Sequence, residues 1–500
     1  MRDSSGSGRS RSSNGAAGCI STGPCSTPAF ARQNWPGLRR WTMHFRLQLV
    51  IEDADGVIVE TDQLASLERV GFGPATAGLT LDEAKSLLAA CQKHMILAQA
   101  RDYETMIKPC LACALPRSVK SASNIVLRTL FGSLTIPSQR LYHCRCACAK
   151  RSSFSPIAAL FPERSTPELV YLQTKWASLM SYGLTCDLLA DILPLEHRLS
   201  PRSVRRQLHR VANCLEADLG DEIGMINTQS SMPDGKDRPP APMTVGLDGD
   251  YVHAREGSNR KAGWFEVMVG KSVPDKGDAK CFAMVQSLDT RPRRRLGAVL
   301  DAQGLARGQS IHFVSDGGDT VRNLQLHLHG EAEHWLDWFH ITMRITVMRQ
   351  MAKSIVSIDT TDLSDRIDRD LARIKWLLWQ GNHVDGAEAA DLLTWDLELA
   401  DNKEVAAKLE KALSEFSVYI RRNADFITNY GDKWRNGERI SSGFTESAVN
   451  QVLSRRMVKK QQMRWTKVGA HLLLQTRTQT LNGDLRRCFQ RWYPDMKSAA

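Results

Sequence analysis

The sequence predicts a multidomain α+β protein on three observations. Cysteines cluster at 110–113 and 144–148, on either side of a hairpin-like stretch. From Met243 the chain alternates in short apolar segments of strand type. Between Asp316 and Glu446, about 130 residues carry almost no strand signal and read as helices. Strand period, helix period and cysteine spacing are independent signals, and together they divide the chain into modules.

Residues 1–42 are rich in Ser, Gly and Arg and hold one acid, Asp3, so they read as a disordered tail. They contain no apolar core of a secretory signal. The composition also suits a transit peptide, or a translation start at Met43, where ordered patterning begins. Residues 43–106 read as a small α+β element. HFRLQLVIEDADGVIVE gives two strands around residues 53–56. Thr80 and Glu83 form a capping box for a helix with Ala84, Leu87, Leu88, Cys91, Met95 and Ala98 as its apolar stripe. Core packing is the preferred role of that stripe, and dimerisation the alternative.

Residues 107–150 read as a zinc-ribbon-like module. Cys110-Leu-Ala-Cys113 is a knuckle, VLRTLFGSLTIP is a hairpin bent at Gly132, and His143-Cys-Arg-Cys-Ala-Cys148 returns beside the knuckle. Four thiolates so placed suit a tetrahedral structural Zn²⁺. Spacing leaves Cys144, Cys146 and Cys148 in competition for the second pair. Reduced cysteines without metal are the plain alternative.

Residues 165–220 read as a helix-turn-helix-like DNA-binding domain. Thr166-Pro167-Glu168 opens a helix that Tyr182-Gly183 ends. A short helix at 185–193 stops at Pro194. Ser200-Pro201 opens a third, carrying Arg202, Arg205, Arg206, His209 and Arg210. That basic helix is the candidate groove reader of double-stranded DNA. A trihelical core with a solvated basic face is the alternative. Residues 230–242 read as a linker.

Residues 243–320 read as the first part of a catalytic core. In MTVGLDGDYVH, Asp248 and Asp250 share one strand face. Strands at 263–270 and 280–287, a helix at 291–307 and a strand at 310–315 follow, and the last ends in Asp316 and two glycines. Residues 321–440 read as an all-α insertion, with helices at 331–353, 362–379, 385–400 and 403–422 stapled by Trp335, Trp338, Trp376, Trp379 and Trp395. Asp337 and His340 can meet at i, i+3, as site support or as an ordinary hydrogen-bonded pair.

Residues 441–485 supply the second part of the core with Glu446. Thr445 can cap its helix, whose first turn favours an acid. Asn450 and Ser454 follow on one small polar face, and Val449, Val452, Leu453 and Met457 suit a core. Arg455, Arg456, Lys459 and Lys460 begin a basic run suited to a phosphate backbone. Asp248, Asp316 and Glu446, on two strands and a later helix, can converge on hard divalent cations. Two Mg²⁺ ions about 3.5–4 Å apart activate an attacking oxygen and stabilise the leaving one in phosphoryl transfer.

Read together, SGFTESAVNQ, VKKQQMRW and GAHLLLQTRT resemble the C-terminal signature of the ISKra4 family of bacterial insertion-sequence transposases. LDGDYV and SDGGDTVRNL resemble that family's first two acidic blocks, and the similarity runs from about Met43 to about Asp484. The resemblance implies an RNase H-like α/β core with Asp248, Asp316 and Glu446 as a DDE triad. It implies a DNA transposase acting on terminal inverted repeats and target DNA, working as a homo-oligomer in the bacterial cytoplasm at the nucleoid. It favours Cys144 and Cys146 as zinc ligands and matches Asp337-Trp-Phe-His340 to a motif early in such insertions. Asp250 departs from the family's glycine, so it stands beside Asp248 as a candidate ligand. A catalytically silent DNA-binding derivative and a nuclease without strand transfer are the alternatives.

Composition fits these expectations. Lys and Arg exceed Asp and Glu by 11, which favours a polyanionic partner. Twelve cysteines in 500 residues are too sparse for a disulfide scaffold, and their clustering suits metal in a reducing compartment. No apolar run is long enough to span a bilayer, so no membrane partner is expected.

Overall fold

The computed structural model describes residues 41–146, 152–195, 199–221, 241–255, 263–306, 309–330, 332–354, 361–398, 403–458 and 464–496. The expected tail before residue 41, the linker up to residue 240, Cys148, Lys459 and Lys460 lie outside the described residues. The described residues are mixed α+β and form two compact units, 41–80 and 81–496.

The first unit is a hairpin of β1 (Thr42–Glu52) and β2 (Ile58–Val70), with Phe45 opposite Leu67 and Leu47 opposite Ala65. Asp53 Oδ1 accepts hydrogen bonds from Asp55 N (3.0 Å) and Val57 N (2.9 Å), which closes the turn. The element expected at 43–106 is thus divided, because α1 (Leu81–Ile107) belongs to the second unit. There α1 packs Ile96, Ala100 and Tyr103 on the next hairpin, while Leu88 and Met95 of the predicted stripe are exposed.

That hairpin is β3 (Val119–Thr129) and β4 (Gly132–Tyr142), extended by β5 (Ser153–Phe154) and backed by α2 (Pro156–Leu160). Gly132 makes the bend at φ +115°, a conformation that favours glycine. Next come α3 (Pro167–Leu179), α4 (Tyr182–Ile192) and α5 (Pro201–Leu219). Ser181 accepts from Leu184 N (3.3 Å), so Tyr182-Gly183 opens the second helix instead of ending the first. The α4–α5 connection spans 193–200, about twice the 3–4-residue turn of a helix-turn-helix.

The main sheet comprises β6 (Met243–His253), β7 (Trp264–Val273), β8 (Lys280–Val285), β9 (Ile311–Ser315) and β10 (Glu333–Leu336), with α6 (Pro292–Ala302) and α7 (Asp319–Leu328) between strands. Its order is β10-β9-β6-β7-β8. β6, β7 and β8 run antiparallel in sequence, while β9 is parallel to β6 and β10 to β9. Sequence reading placed β10 inside a helix at 331–353. The helix, α8 (Trp338–Ser354), starts only after Trp335 and Leu336 are buried as strand residues.

The insertion continues through α9 (Thr361–Trp379), α10 (His383–Glu398), α11 (Lys403–Arg422) and α12 (Tyr430–Arg435). Ile345, Ile367, Leu371, Leu393, Leu413 and Phe416 form its core, which reaches Val314, Trp335 and Leu336 of the sheet. Trp335, Trp338 and Trp379 belong to this packing, but Trp376 and Trp395 are exposed at 64% and 62% and staple nothing. The chain ends in α13 (Gly443–Val449), a π-helix (Asn450–Val458), α14 (Lys467–Leu481) and α15 (Leu485–Trp492).

The two sheet faces have different partners. Met243, Val245 and Leu247 meet α6 and α7. Val252, Val267 and Val269 meet Tyr182, Cys186, Val204 and Leu208, together with Val449, Val452 and Leu473. α4 and α5 therefore share a core with the sheet. Among the described residues, no helix is long and apolar enough to cross a membrane.

Candidate functional site

Strand register brings the first two acids together. Leu247 pairs with Ser315 in parallel, so Asp248 and Asp316 continue neighbouring strands side by side. Gly246 and Val314 share a level, and alternation puts Asp248 on the face of Gly246 and Asp316 on the face of Val314.

Glu446 arrives on the same face through α13, which packs on β6 and β7. Gly246 permits this approach. A Cβ there would overlap Thr445 Oγ1 and lie 2.8 Å from Phe444 Cε2. Thr445, expected to cap the helix, is instead wholly buried, and Ser442 is the N-cap residue.

Burial pushes the Asp248 carboxyl up to about 6, and the neighbouring Asp316 carboxylate adds to this. His340 and the Gly249 N–H pull it down, and Glu446 pushes it up again. Asp316 and Glu446 thus both lie within electrostatic reach of Asp248. Asp250, two residues on, has the same facing and accepts from Tyr251 N at 2.7 Å. Asp316 Oδ1 accepts from Gly318 N (3.0 Å), and its carbonyl accepts from Tyr419 OH (2.8 Å). Gly317 holds φ +79°, and a Cβ there would lie 2.6 Å from Asn423 Oδ1.

Asp337, which follows β10 as Asp316 follows β9, is fully buried. Its carboxylate accepts from Ser442 N (3.0 Å), Ser442 Oγ and Phe339 N (2.8 Å). His340 Nε2 lies 3.7 Å from its Oδ2, so the i, i+3 pair forms.

The basic candidates divide. Arg202, Arg205, Arg206 and Arg210 lie on the exposed side of α5, with Arg210 paired to Glu163. Arg455 is exposed. Arg456 is not a surface cation: it is wholly buried, with its guanidinium 5.1 Å from the Tyr182 ring and 5.2 Å from the Trp465 ring. The cause is the π-helix, whose wider turn changes which residues share a face. Ser454 is likewise buried while Asn450 is exposed, so the single polar face expected there is split.

Sequence reasoning missed several supports. Arg477 reaches under the π-helix and donates to Val452 O (2.7 Å), Gln451 O and Ser178 O. Asn482 donates to Cys281 O (2.8 Å) and accepts from Cys281 N (2.9 Å) on β8. Gln475 donates to Ala283 O (3.2 Å). For Gln475 and Arg477 the polar letters of GAHLLLQTRT were the available signal, but their partners are distant in sequence.

Cys110, Cys113, Cys144 and Cys146 form a second cluster, with all four Sγ atoms within 4.8 Å of one another. Cys110–Cys146 is 3.5 Å, and Cys113–Cys144 and Cys113–Cys146 are 3.4 Å. A tetrahedron with Zn–S of about 2.3 Å has edges of about 3.8 Å, so the spacing fits. Ala114 adopts φ +56° just after the knuckle, and its N–H donates to Cys110 O (2.7 Å). The Ala112 N–H, then that of Cys113, lower the Cys110 thiol to about 6.

A third group, His312, Glu333 and Glu438, was not anticipated. Lys433 Nζ already lies 3.2 Å from Glu333 and 2.9 Å from Glu438, supplying the positive charge there. No family model matches the chain, and no curated protein matches it.

Proposed function

We propose that this chain is a DNA transposase with an RNase H-like catalytic core, in which Asp248, Asp316 and Glu446 form the acidic triad. One observation carries the reading: the middle of β6, the adjacent end of β9 and a helix seated on Gly246 bring three carboxylates to one face. A mixed sheet with helices on both faces supports the RNase H-like assignment.

The donor set is hard oxygen on a half-buried face, which fits Mg²⁺. A pair of such cations, when bound, supplies Lewis-acid activation of the attacking oxygen and charge stabilisation of the leaving one. The chain's own residues prepare the site. Asp248 must release its proton to act as a ligand, so cation loading releases protons near pH 6. Asp248 is the preferred strand ligand because it follows the Leu247–Ser315 pair, level with Asp316, and feels the charges of both Asp316 and Glu446. Exposed arginines on α5 and Arg455 offer contacts to the phosphates of terminal repeats and target DNA. The four-cysteine cluster suits a structural Zn²⁺. Joining two ends in one event calls for a homo-oligomer, and the bacterial cytoplasm is the proposed setting.

The test is cleavage of a labelled duplex carrying the element's own ends, with Mg²⁺ or EDTA, beside Asp316→Asn and Glu446→Gln. The reading expects Mg²⁺-dependent cuts and joined products from the wild type. Both variants should bind the ends nearly as well and cut at least 100-fold more slowly, roughly the loss typical of one catalytic group. Cuts without joined products would reduce the protein to a nuclease, and end binding without cutting would leave a silent DNA-binding protein.

A further inference from the structure

We propose that Asp337 is the positioning residue that sets the Glu446 helix against the strands of Asp248 and Asp316. This rests on the reading of those acids as a cation site. Asp337 acts from both its backbone and its side chain. Its N–H donates to Ser315 O (2.8 Å), immediately before Asp316. Its carboxylate takes both the N–H and the Oγ–H of Ser442. The Ser442 carbonyl in turn accepts from Glu446 N (3.2 Å). One buried residue thus links the carriers of two acids that are 130 positions apart in the chain.

Neighbouring bonds reinforce the clasp. Trp338 N donates to Ile440 O (3.0 Å) and Trp335 Nε1 to Arg439 O (3.2 Å), so the end of β10 and the start of α8 are joined to residues 439–442 at several points. Both Asp337 oxygens are engaged, Oδ1 by Ser442 N and Phe339 N and Oδ2 by Ser442 Oγ. The side chain therefore acts through Ser442 and is not itself a cation ligand. A carboxylate this deeply buried is tolerated because donors surround it. Its loss leaves the Ser442 and Phe339 N–H groups without their acceptor, and α13 loses its anchor. Asp337→Asn keeps an acceptor oxygen for both N–H groups and can donate to Ser442 Oγ, so it preserves the clasp.

The experiment uses the full-length protein and two readouts: Mn²⁺ affinity by electron paramagnetic resonance titration, and amide hydrogen exchange without added divalent metal. Asp337→Ala is expected to weaken Mn²⁺ binding about 10–100-fold, as for loss of an outer-shell partner. It should also speed exchange at 443–449 selectively, and Asp337→Asn should restore both readouts. Ser442→Ala, which keeps the backbone N–H, should give a smaller change of the same kind and carries the test if Asp337→Ala does not fold. Unchanged exchange at 443–449 in Asp337→Ala, or in Ser442→Ala where that variant stands in for it, overturns the proposal. So does a loss of Mn²⁺ in Asp337→Asn as complete as in Asp316→Asn, which would make Asp337 a ligand. If wild type binds no Mn²⁺, the cation-site reading fails by itself, and the exchange data alone decide whether Asp337 clasps α13.

Discussion

Gly246 governs how close Glu446 comes to Asp248. A methyl group there would occupy the space of Thr445 Oγ1 and crowd the Phe444 ring. Gly246→Ala should lower stability by about 1–3 kcal/mol, the usual cost of overpacking. It should also weaken divalent-cation binding, because the shift falls on α13. Thermal unfolding and Mn²⁺ titration of this variant check both effects, and a stability loss with unchanged affinity would separate the packing from the site. Asp248 and Asp316 were legible as strand residues because alternation and an apolar run ending in Gly-Gly are local signals. Gly246 was not, because its reason is a partner about 200 residues later. Arg456 reads as one more cation in a basic run, and only the rings of Tyr182 and Trp465 reveal a buried one.

The π-helix and α14 form one assembly. A π-helix bonds its carbonyls i→i+5, and the Arg477 guanidinium adds charged donors to Val452 O and Gln451 O. Arg477→Met fills similar space without donors. Losing these charged hydrogen bonds should cost about 1.5–3 kcal/mol, read as a lower urea midpoint with unchanged slope. On the other side of α14, Asn482 and Gln475 bond the free backbone edge of β8, doing with side chains what a sixth strand would do with its backbone. α14 was legible as a helix, yet residues 469–478 are all buried, so no amphipathic stripe pointed to its neighbours. β10 was hidden for the opposite reason: four residues are too short to show a period of two against a helix-forming background.

At the scale of the molecule, the cysteine cluster lies in the connections flanking the β3-β4-β5 sheet, and the acidic face belongs to the main sheet. Removing zinc should therefore act locally. With a strong chelator, protease sensitivity should appear between about residues 107 and 152, while the main thermal transition should be nearly unchanged. Limited proteolysis with mass mapping checks this, and collapse of the whole fold would show that the cluster supports more than its hairpin. The order of modules was legible from punctuation and cysteine spacing. That Tyr182, Val204 and Leu208 share a core with Val267 and Val449 was not, since a helix stripe shows that it must be covered but not by what. The hydrogen bond from Trp338 N to Ile440 O has a wider consequence. It closes the helical insertion into a loop whose two ends are already tied. The entropy of closing a loop grows only with the logarithm of its length, about 0.6 kcal/mol per doubling. Provided Trp335 and Leu336 stay covered, the segment between those ends can be lengthened, shortened or exchanged at little thermodynamic cost to the acidic face, leaving it open to a graft from another protein.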